Sequence, residues 1–295
     1  MTRILLVGAG GQVGREIAAT AAGRGLEFVA LDHAGLDITD AAALGRALAA
    51  ARPEVVINAA AYTAVDRAES EAERAHLLNA VAPGLIAQAC AQAGAALIHL
   101  STDYVFDGTK AGAYDESDKV APLGVYGASK EAGERAVREG LARHLIIRTS
   151  WVYGVHGANF LKTMLRLAAE RDRLTIVADQ RGCPTATADI AEGLLAAAGP
   201  LAAGALMPGT YHLAGTGVTS WFAFAGAILA RAATHTGRSP RIVPITTADY
   251  PTPARRPANS ELSSACFAQA AGFRAGPWQE RVNEVVDQLL APSTT

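Results

Sequence analysis

At 295 residues, half of them hydrophobic and 18% charged, the chain is long enough for one large or two medium globular domains and too apolar for a disordered segment. A formal net charge of −2 offers no basic field to nucleic acid and no polybasic patch to a membrane. No run approaches the roughly 20 apolar residues of a membrane span, "MTRILLVGAGG" lacks a signal-peptide layout, and Cys90, Cys183 and Cys266 are odd in number and far apart, which predicts reduced thiols in a cytoplasmic protein and not a disulfide framework or zinc knuckle.

The first half alternates strand and helix. "RILLV" (Arg3–Val7) is an apolar run ending in glycines, the pattern of a buried parallel strand. A helix is expected from Gln12 to about Gly23, then a strand at "EFVALD" (Glu27–Asp32). "DAAALGRALAAARP" (Asp40–Pro53) carries a helix-start Asp and a helix-stop Pro. "EVVINAAA" (Glu54–Ala61) is a third strand, and Glu71 to Ala93 reads as helix with an interruption near Pro83. "AALIHLSTD" (Ala95–Asp103) is a fourth strand, Tyr126 to Leu141 a helix, and "HLIIRTS" (His144–Ser150) a fifth strand. This alternation predicts an α/β fold of Rossmann type, a doubly wound parallel sheet with helices on both faces.

The second half is less regular. Helices are expected at 159–171, 186–197, 220–234 and 278–290, and short strands at 174–177, 210–213 and 241–244. Pro244, Pro251, Pro253 and Pro257 make 244–257 an extended, ordered loop. The expected organisation is a dinucleotide-binding domain over 1–155, to which some later segments return, and a smaller C-terminal substrate lobe over 156–295, with a cleft between them.

"GAGGQVG" places Gly8, Gly11 and Gly14 directly after a strand and at the opening of a helix. Gly8 permits the tight turn, Gly11 lets backbone N–H groups approach a pyrophosphate, and Gly14 lets helix and strand pack closely. The helix N-terminus adds partial positive charge. Asp32 closes the second strand at about the 20-residue distance at which a carboxylate accepts ribose hydroxyls and repels a 2′-phosphate. Asp37 reads equally as a helix cap and as an adenine contact.

"HLSTDYVFDG" ends the fourth strand with hydroxyls, a carboxylate and a tyrosine, where open α/β sheets place ligands. "VYGASKEAGE" follows, with Tyr126 and Lys130 at i and i+4 on one helical face. A ketone receiving hydride becomes an alkoxide, which needs a proton and a hydrogen-bond donor. Tyr126 can give the proton, Lys130 can lower its pKa and bond a ribose, and Thr102 can hold the carbonyl oxygen. The remaining "EAGE" reads as the solvent side of that helix.

The glycine loop, "NAAAYTAVDRAE" (Asn58–Glu69), "STDYVFDG", "VYGASK" and "RTSWVYG" resemble the extended short-chain dehydrogenase/reductases. More narrowly, "LSTDYVFDG", "RTSWVYG", "DQRGCPT" and "YPTPARRPANSEL" resemble the dTDP-4-dehydrorhamnose reductase family, over Ile4 to about Leu290. The resemblance implies reduction of a nucleotide-sugar ketone by NADPH, with NADH also possible. It implies a catalytic set of Thr102, Tyr126 and Lys130. Gly11, Gln12 and Val13 match the pyrophosphate loop, Asp37 and Ile38 the adenine contact, and Ala61, Tyr62 and Thr63 the cofactor lining, with Tyr104 facing the same region. Asn79 matches an asparagine that supports the lysine through water. Asp103 and Trp151 match positions near the sugar, although Trp151 also reads as core. Arg255, Arg256 and Asn259 are expected to hold the diphosphate or the loop around it, with one arginine pointing away.

Some relatives carry a divalent ion such as Mg2+. No compact cluster with hard-metal spacing stands in this sequence, and Glu16 near the glycine loop fits a plain dipole interaction, so no metal site is expected. A sister reductase or epimerase of another nucleotide sugar, and a non-catalytic regulatory subunit on the same fold, are the alternatives. Whether the chain forms a homo-oligomer is not written in the sequence.

Overall fold

The computed structural model describes residues 2–22, 24 and 26–291. Gly23, at the expected end of the first helix, and Met1 and Pro292–Thr295, within the expected domain bounds, lie outside the described residues. In chain order the elements are β1 (Arg3–Val7), α1 (Gln12–Ala22), β2 (Glu27–Leu31), α2 (Ala41–Ala51), β3 (Val55–Asn58), α3 (Val65–Ala68), α4 (Ala72–His76), α5 (Ala82–Ala93), β4 (Ala96–Thr102), α6 (Val125–Gly140) and β5 (His144–Thr149). There follow β6 (Val152–Tyr153), α7 (Phe160–Glu170), β7 (Arg173–Val177), β8 (Arg181–Gly182), β9 (Thr185–Ala186), α8 (Thr187–Ala202), β10 (Gly209–His212) and β11 (Thr219–Ser220). The chain closes with α9 (Trp221–Thr236), β12 (Arg241–Ile245), β13 (Asn259–Ser260), α10 (Ala265–Ala271) and α11 (Trp278–Leu290).

Six strands form one parallel sheet in the order β2-β1-β3-β4-β5-β10. Successive side chains of a strand face opposite ways, so one apolar run can serve two cores. Ile4 and Leu6 pack with Val55, Ile57, Ile98 and Ile147 under α1 and α8. Leu5 and Val7 pack with Val56, Leu97 and Ile146 under α2, α5 and α6. Each such buried aliphatic side chain contributes roughly 1.5–3 kcal/mol. The sheet is therefore doubly wound, and its order reverses between β1 and β3, which opens a crevice at their carboxyl ends.

The C-terminal lobe has a core of its own. Tyr153, Leu161, Met164, Phe224, Ile228 and Val282 gather α7, α9 and α11 beside the parallel β7–β12 pair. The chain also returns to the large sheet. α8 packs across α1, and β10 pairs with β5 as the outer strand.

Several elements were not expected. α10 and the short α3 stand where no helix was read. The helical run 72–93 does not break at Pro83. It widens into a π-turn at Leu77–Val81, and Pro83 falls in the first turn of α5, where its missing N–H costs nothing. The loop 244–257 contains a 3₁₀ turn at Thr247–Asp249, closed by reciprocal Thr246 and Asp249 hydrogen bonds. Cys90 and Cys183 are buried free thiols and Cys266 an exposed one. No helix among the described residues is long and apolar enough to cross a membrane.

Two glycines give opposite predictions. A Cβ on Gly14 would lie 2.1 Å from the Gly8 carbonyl oxygen. A Cβ on Gly45, in the exposed face of α2, would meet nothing within 4 Å. Gly14→Ala is expected to destabilise the fold by about 3 kcal/mol, and Gly45→Ala to stabilise it by about 0.5–1 kcal/mol. Urea unfolding of both variants checks the signs.

Candidate active site

Three turns of chain meet at the carboxyl edge of the sheet. The first is the glycine loop. Gly8 has φ +86°, and a side chain there would lie 2.5 Å from the Ala60 nitrogen, so the turns that follow β1 and β3 approach this closely only because glycine stands there. A Cβ on Gly11 would meet the Gly8 carbonyl oxygen at 3.4 Å, an ordinary contact, and α1 begins at Gln12 with the free N–H groups of a helix start. Gly8, Gly11, Asp32, Asp37, Ile38 and Ala61 help line a cavity of about 520 Å³.

Both carboxylates of this cavity are shaped by local bonds. Asp32 Oδ1 accepts the N–H groups of Ala34 and Gly35. Asp37 Oδ1 accepts the amide and hydroxyl of Thr39, which hold its pKa below the usual carboxylate range. The helix cap of α2 is Asp40, which accepts from Ala42 and Ala43, so the capping reading of Asp37 falls away. A tight glycine turn, free helical N–H groups and a strand-end carboxylate together fit a dinucleotide.

The second turn is the end of β4. Thr102 donates to Asp103 Oδ1 at 3.0 Å and accepts from the Tyr104 amide. Asp103 is buried, and desolvation lifts its pKa to about 6 against the nearby Ser260 and Thr102 hydroxyls. Its Oδ2 has no hydrogen-bond partner among the described residues.

The third is the start of α6. Tyr126 is buried, edge-on to Tyr104 with ring centroids 5.5 Å apart. Desolvation pushes its pKa up to about 12, while the Thr102 hydroxyl pulls it down and Asp103 adds to the rise. Lys130 lies one turn on, 1% exposed, its ammonium donating to the Leu100 carbonyl at 2.7 Å. Desolvation brings its pKa down to about 8, opposed by Glu134. The expected lowering of Tyr126 by Lys130 is thus not the governing effect in this arrangement. Burial outweighs it, and the hydroxyl of Thr102 is the group that eases ionisation.

A second cavity, of about 620 Å³, opens on the other side of Tyr104. Phe160, Trp221 and Tyr250 give it aromatic walls, and Arg171, Arg173 and Arg256 give it cations. Tyr104, in the turn after β4, lines this basic, aromatic cleft and stands edge-on to Tyr126, while Ala59, Ala60 and Ala61, after the neighbouring β3, line the glycine-loop cavity.

Residues 1–291 match the family model described as the RmlD substrate binding domain. The chain belongs to the RmlD family. It is 46% identical to the dTDP-4-dehydrorhamnose reductase of Burkholderia thailandensis, over 98% of this chain and 99% of that one. It is 41% identical to that of Escherichia coli K12, over 97% and 98%. The solved structure of the Clostridium acetobutylicum dTDP-4-dehydrorhamnose reductase matches with TM-score 0.90 at 38% identity, over 97% of this chain and 99% of that one. The Bacillus anthracis enzyme, solved in complex with NADP, matches with TM-score 0.89 at 36% identity, over 97% and 99%.

Several side chains of this RmlD-family chain stand elsewhere than expected. Tyr104 lines the basic cleft and not the glycine cavity. Trp151 stacks behind Trp221 at 3.6 Å, and it is Trp221 that forms the wall. Trp151 holds φ +48°, an unfavourable backbone for a large residue, and is locked there by Trp221 and by Gly182, where no Cβ would fit against its ring. Arg255 is exposed, whereas Arg256 reaches the cleft. Asn259 is buried and donates to the carbonyls of Lys110 and Gly112 at 2.8 and 2.9 Å, so it ties down a loop and has no donor left for a ligand.

Asn79 sits in the π-turn. Its side chain brackets the Tyr62 backbone from both sides and donates to Ser129. Tyr62 is buried, its hydroxyl on Glu71, and Thr63 is exposed. Gln12 turns its side chain to Asn159 at 2.7 Å, so only its backbone is free for an anion. Val13 packs against the core under α1. Glu16 accepts the Thr187 hydroxyl, and no group of three or more His, Cys, Asp or Glu that could hold a metal occurs among the described residues. Trp221, Phe160 and Glu134 were missed. Phe160 and Trp221 open helices just after their capping residues Asn159 and Ser220, a signal that places a side chain near a helix start without saying what it faces.

Asn259→Ala is expected to cost about 1–3 kcal/mol of stability by stranding two carbonyls, with no change in affinity for a dinucleotide. Thermal unfolding and cofactor titration of the variant check both halves.

Proposed function

We propose that this chain reduces the 4-keto group of dTDP-4-dehydro-6-deoxy-L-mannose (dTDP-4-dehydro-β-L-rhamnose) to dTDP-L-rhamnose with a nicotinamide cofactor. The observation that supports this reading is the gathering of Thr102, Tyr126 and Lys130 at the end of β4 and the start of α6, where Tyr126 meets Tyr104, a residue that lines a cleft together with Trp221 and Arg256. Membership of the RmlD family, with relatives named dTDP-4-dehydrorhamnose reductase, supports the substrate.

The bound cofactor supplies the hydride. Tyr126 holds its proton at neutral pH, because burial keeps its pKa near 12, and so arrives at the reaction as an acid. It gives that proton to the alkoxide oxygen as charge develops there. Thr102 lies beside the Tyr126 hydroxyl and can share in holding that oxygen. The Lys130 ammonium is fixed by the Leu100 carbonyl and keeps two further N–H donors for ribose hydroxyls. Asp103 is buried and accepts the Thr102 hydroxyl, which steadies Thr102 beside Tyr126.

The cleft suits a nucleoside diphosphate. Arg256 is held by a bidentate pair with Asp66, at 3.0 and 2.8 Å, which fixes its fork beside Tyr104. Guanidinium groups match phosphate geometry, and Trp221 and Phe160 offer faces to a base. NADPH is the expected cofactor, with NADH also used. Asp32 is partly neutralised by two backbone N–H groups, and Arg15 lines the same cavity, so a 2′-phosphate meets a cation there as well as a carboxylate.

The test starts from dTDP-glucose with the upstream dehydratase and epimerase, and follows oxidation of NADPH and of NADH by the purified chain. dTDP-L-rhamnose by mass and NMR is the expected product. A 4-epimer of the starting sugar, or no oxidation at all, would favour an epimerase or a regulatory subunit instead. Tyr126→Phe is expected to lower kcat by at least about 100-fold while NADPH affinity stays within about twofold. Asp66→Ala should raise KM for the nucleotide sugar roughly tenfold, with KM for NADPH unchanged. An unchanged sugar KM would remove Arg256 from the site.

A further inference from the structure

We propose that Glu134 is a positioning residue of the reaction, the buried counter-charge that keeps the Lys130 ammonium protonated and aimed. The inference rests on the role given to Lys130 above.

The expected solvent side of α6 is not where Glu134 lies. It is 0% exposed, one helical turn beyond Lys130 on the same face. Its Oε1 accepts from the Ser101 hydroxyl at 2.6 Å and from Arg148 Nε at 2.9 Å. Its Oε2 accepts from Arg148 Nη2 at 2.7 Å and from Arg138 Nη1 at 3.1 Å. Those bonds hold it ionised, and its pKa lies below the usual glutamate value despite burial.

The network meets the catalytic set through the backbone of β4. The Leu100 carbonyl holds Lys130, the Ser101 side chain holds Glu134, and the Thr102 hydroxyl lies beside Tyr126. Lys130 itself bonds a neutral carbonyl and has no carboxylate within salt-bridge distance among the described residues. An ammonium buried on those terms tends to lose its proton. Glu134 is the anion that opposes the loss.

The other charged or titratable groups around this centre do not supply that anion. His99 on β4 is buried and kept neutral by desolvation. His212 on β10 is held well below its usual value. Arg148 on β5 and Arg138 on α6 are cations already paired with Glu134. Tyr126 is neutral below about pH 12. Asp103, on the turn after β4, acts on Tyr126, and the π-turn packed against α6 contributes the uncharged Asn79. A structural role alone would make Glu134 a partner for Arg148. A positioning role adds a dependence of Lys130 on its charge.

The sign follows. Lys130 works as an ammonium, so kcat/KM for NADPH falls as pH rises through its pKa. Glu134→Gln is expected to move that basic limb about one pH unit lower and to raise KM for NADPH severalfold. Glu134→Asp keeps the charge and should leave the limb in place. Because Glu134→Gln strands the Arg148 cation, the double variant Glu134→Gln/Arg148→Met removes both charges. It should recover thermal stability, with the limb lying between those of Glu134→Gln and the wild type, because the Arg148 cation that repels the ammonium is removed as well. A basic limb at the wild-type position in Glu134→Gln overturns the proposal. Lys130→Met separates the two readings. Loss of the limb assigns it to Lys130, and a limb that persists in Lys130→Met refutes the role of Lys130 itself.

Discussion

The site depends on burying a lysine against a strand. Lys130 could place its ammonium in water at little cost, as most lysines do. Here the sheet covers it, and the Leu100 carbonyl is its one bond within the protein among the described residues. A cation held this way has donors left over. The same burial keeps the proton on the Tyr126 hydroxyl at neutral pH. One desolvated edge therefore sets the protonation state of both partners, in opposite senses: it holds a proton on the phenol and weakens the hold on the ammonium.

Such an edge is expensive. The effective penalty for each buried ion is several kcal/mol. It is met here by geometry that a short stretch of β4 provides. Pairing to β5 fixes Leu100, Ser101 and Thr102 in register, with Ser101 opposite Arg148 and Thr102 opposite Thr149. A carbonyl, a hydroxyl and a second hydroxyl then point at set intervals toward α6. The helix approaches closely because Gly127 and Gly133 leave room, their absent Cβ atoms falling within 2.1 Å of the Tyr104 and Asn79 carbonyl oxygens. Strand register and helix approach are thus part of the chemistry.

The parts legible in the sequence are those decided locally. The apolar run of β1, the glycine turn, and the i, i+4 relation of Tyr126 and Lys130 follow from periodicities that neighbouring residues carry. So do the starts of α2, α7 and α9, since Asp40, Asn159 and Ser220 cap with their own side chains. What was not legible is decided across the fold. Gly209–His212 reads as a strand, but its place beside β5 depends on α8 first crossing the sheet. Arg255 and Arg256 are equivalent as letters, and only Asp66 on α3 selects the second. Glu134 has the same local setting as the half-exposed Glu131, and only Arg148 and Ser101, on neighbouring strands, turn it inward.

The contacts decided at a distance are also the ones that join the two halves of the site. Gln12 opens α1 beside the glycine turn, yet its side chain accepts from Asn159, which caps α7 in the other lobe. Asp66 follows β3 at the dinucleotide crevice, yet it grips Arg256 in the opposite wall. Trp151 leaves β5 with a left-handed backbone and delivers its ring to Trp221 at the head of α9. Each bridge runs from the end of a sheet strand, or the turn just after it, to a residue that caps or lines the cleft. A change in the cradle is therefore carried to the cleft by side-chain bonds rather than by a shared surface. The hydride donor and the sugar carbonyl must meet within near-attack distance, about 3–3.5 Å. Lobes fastened at three strand ends hold that distance better than lobes that merely touch.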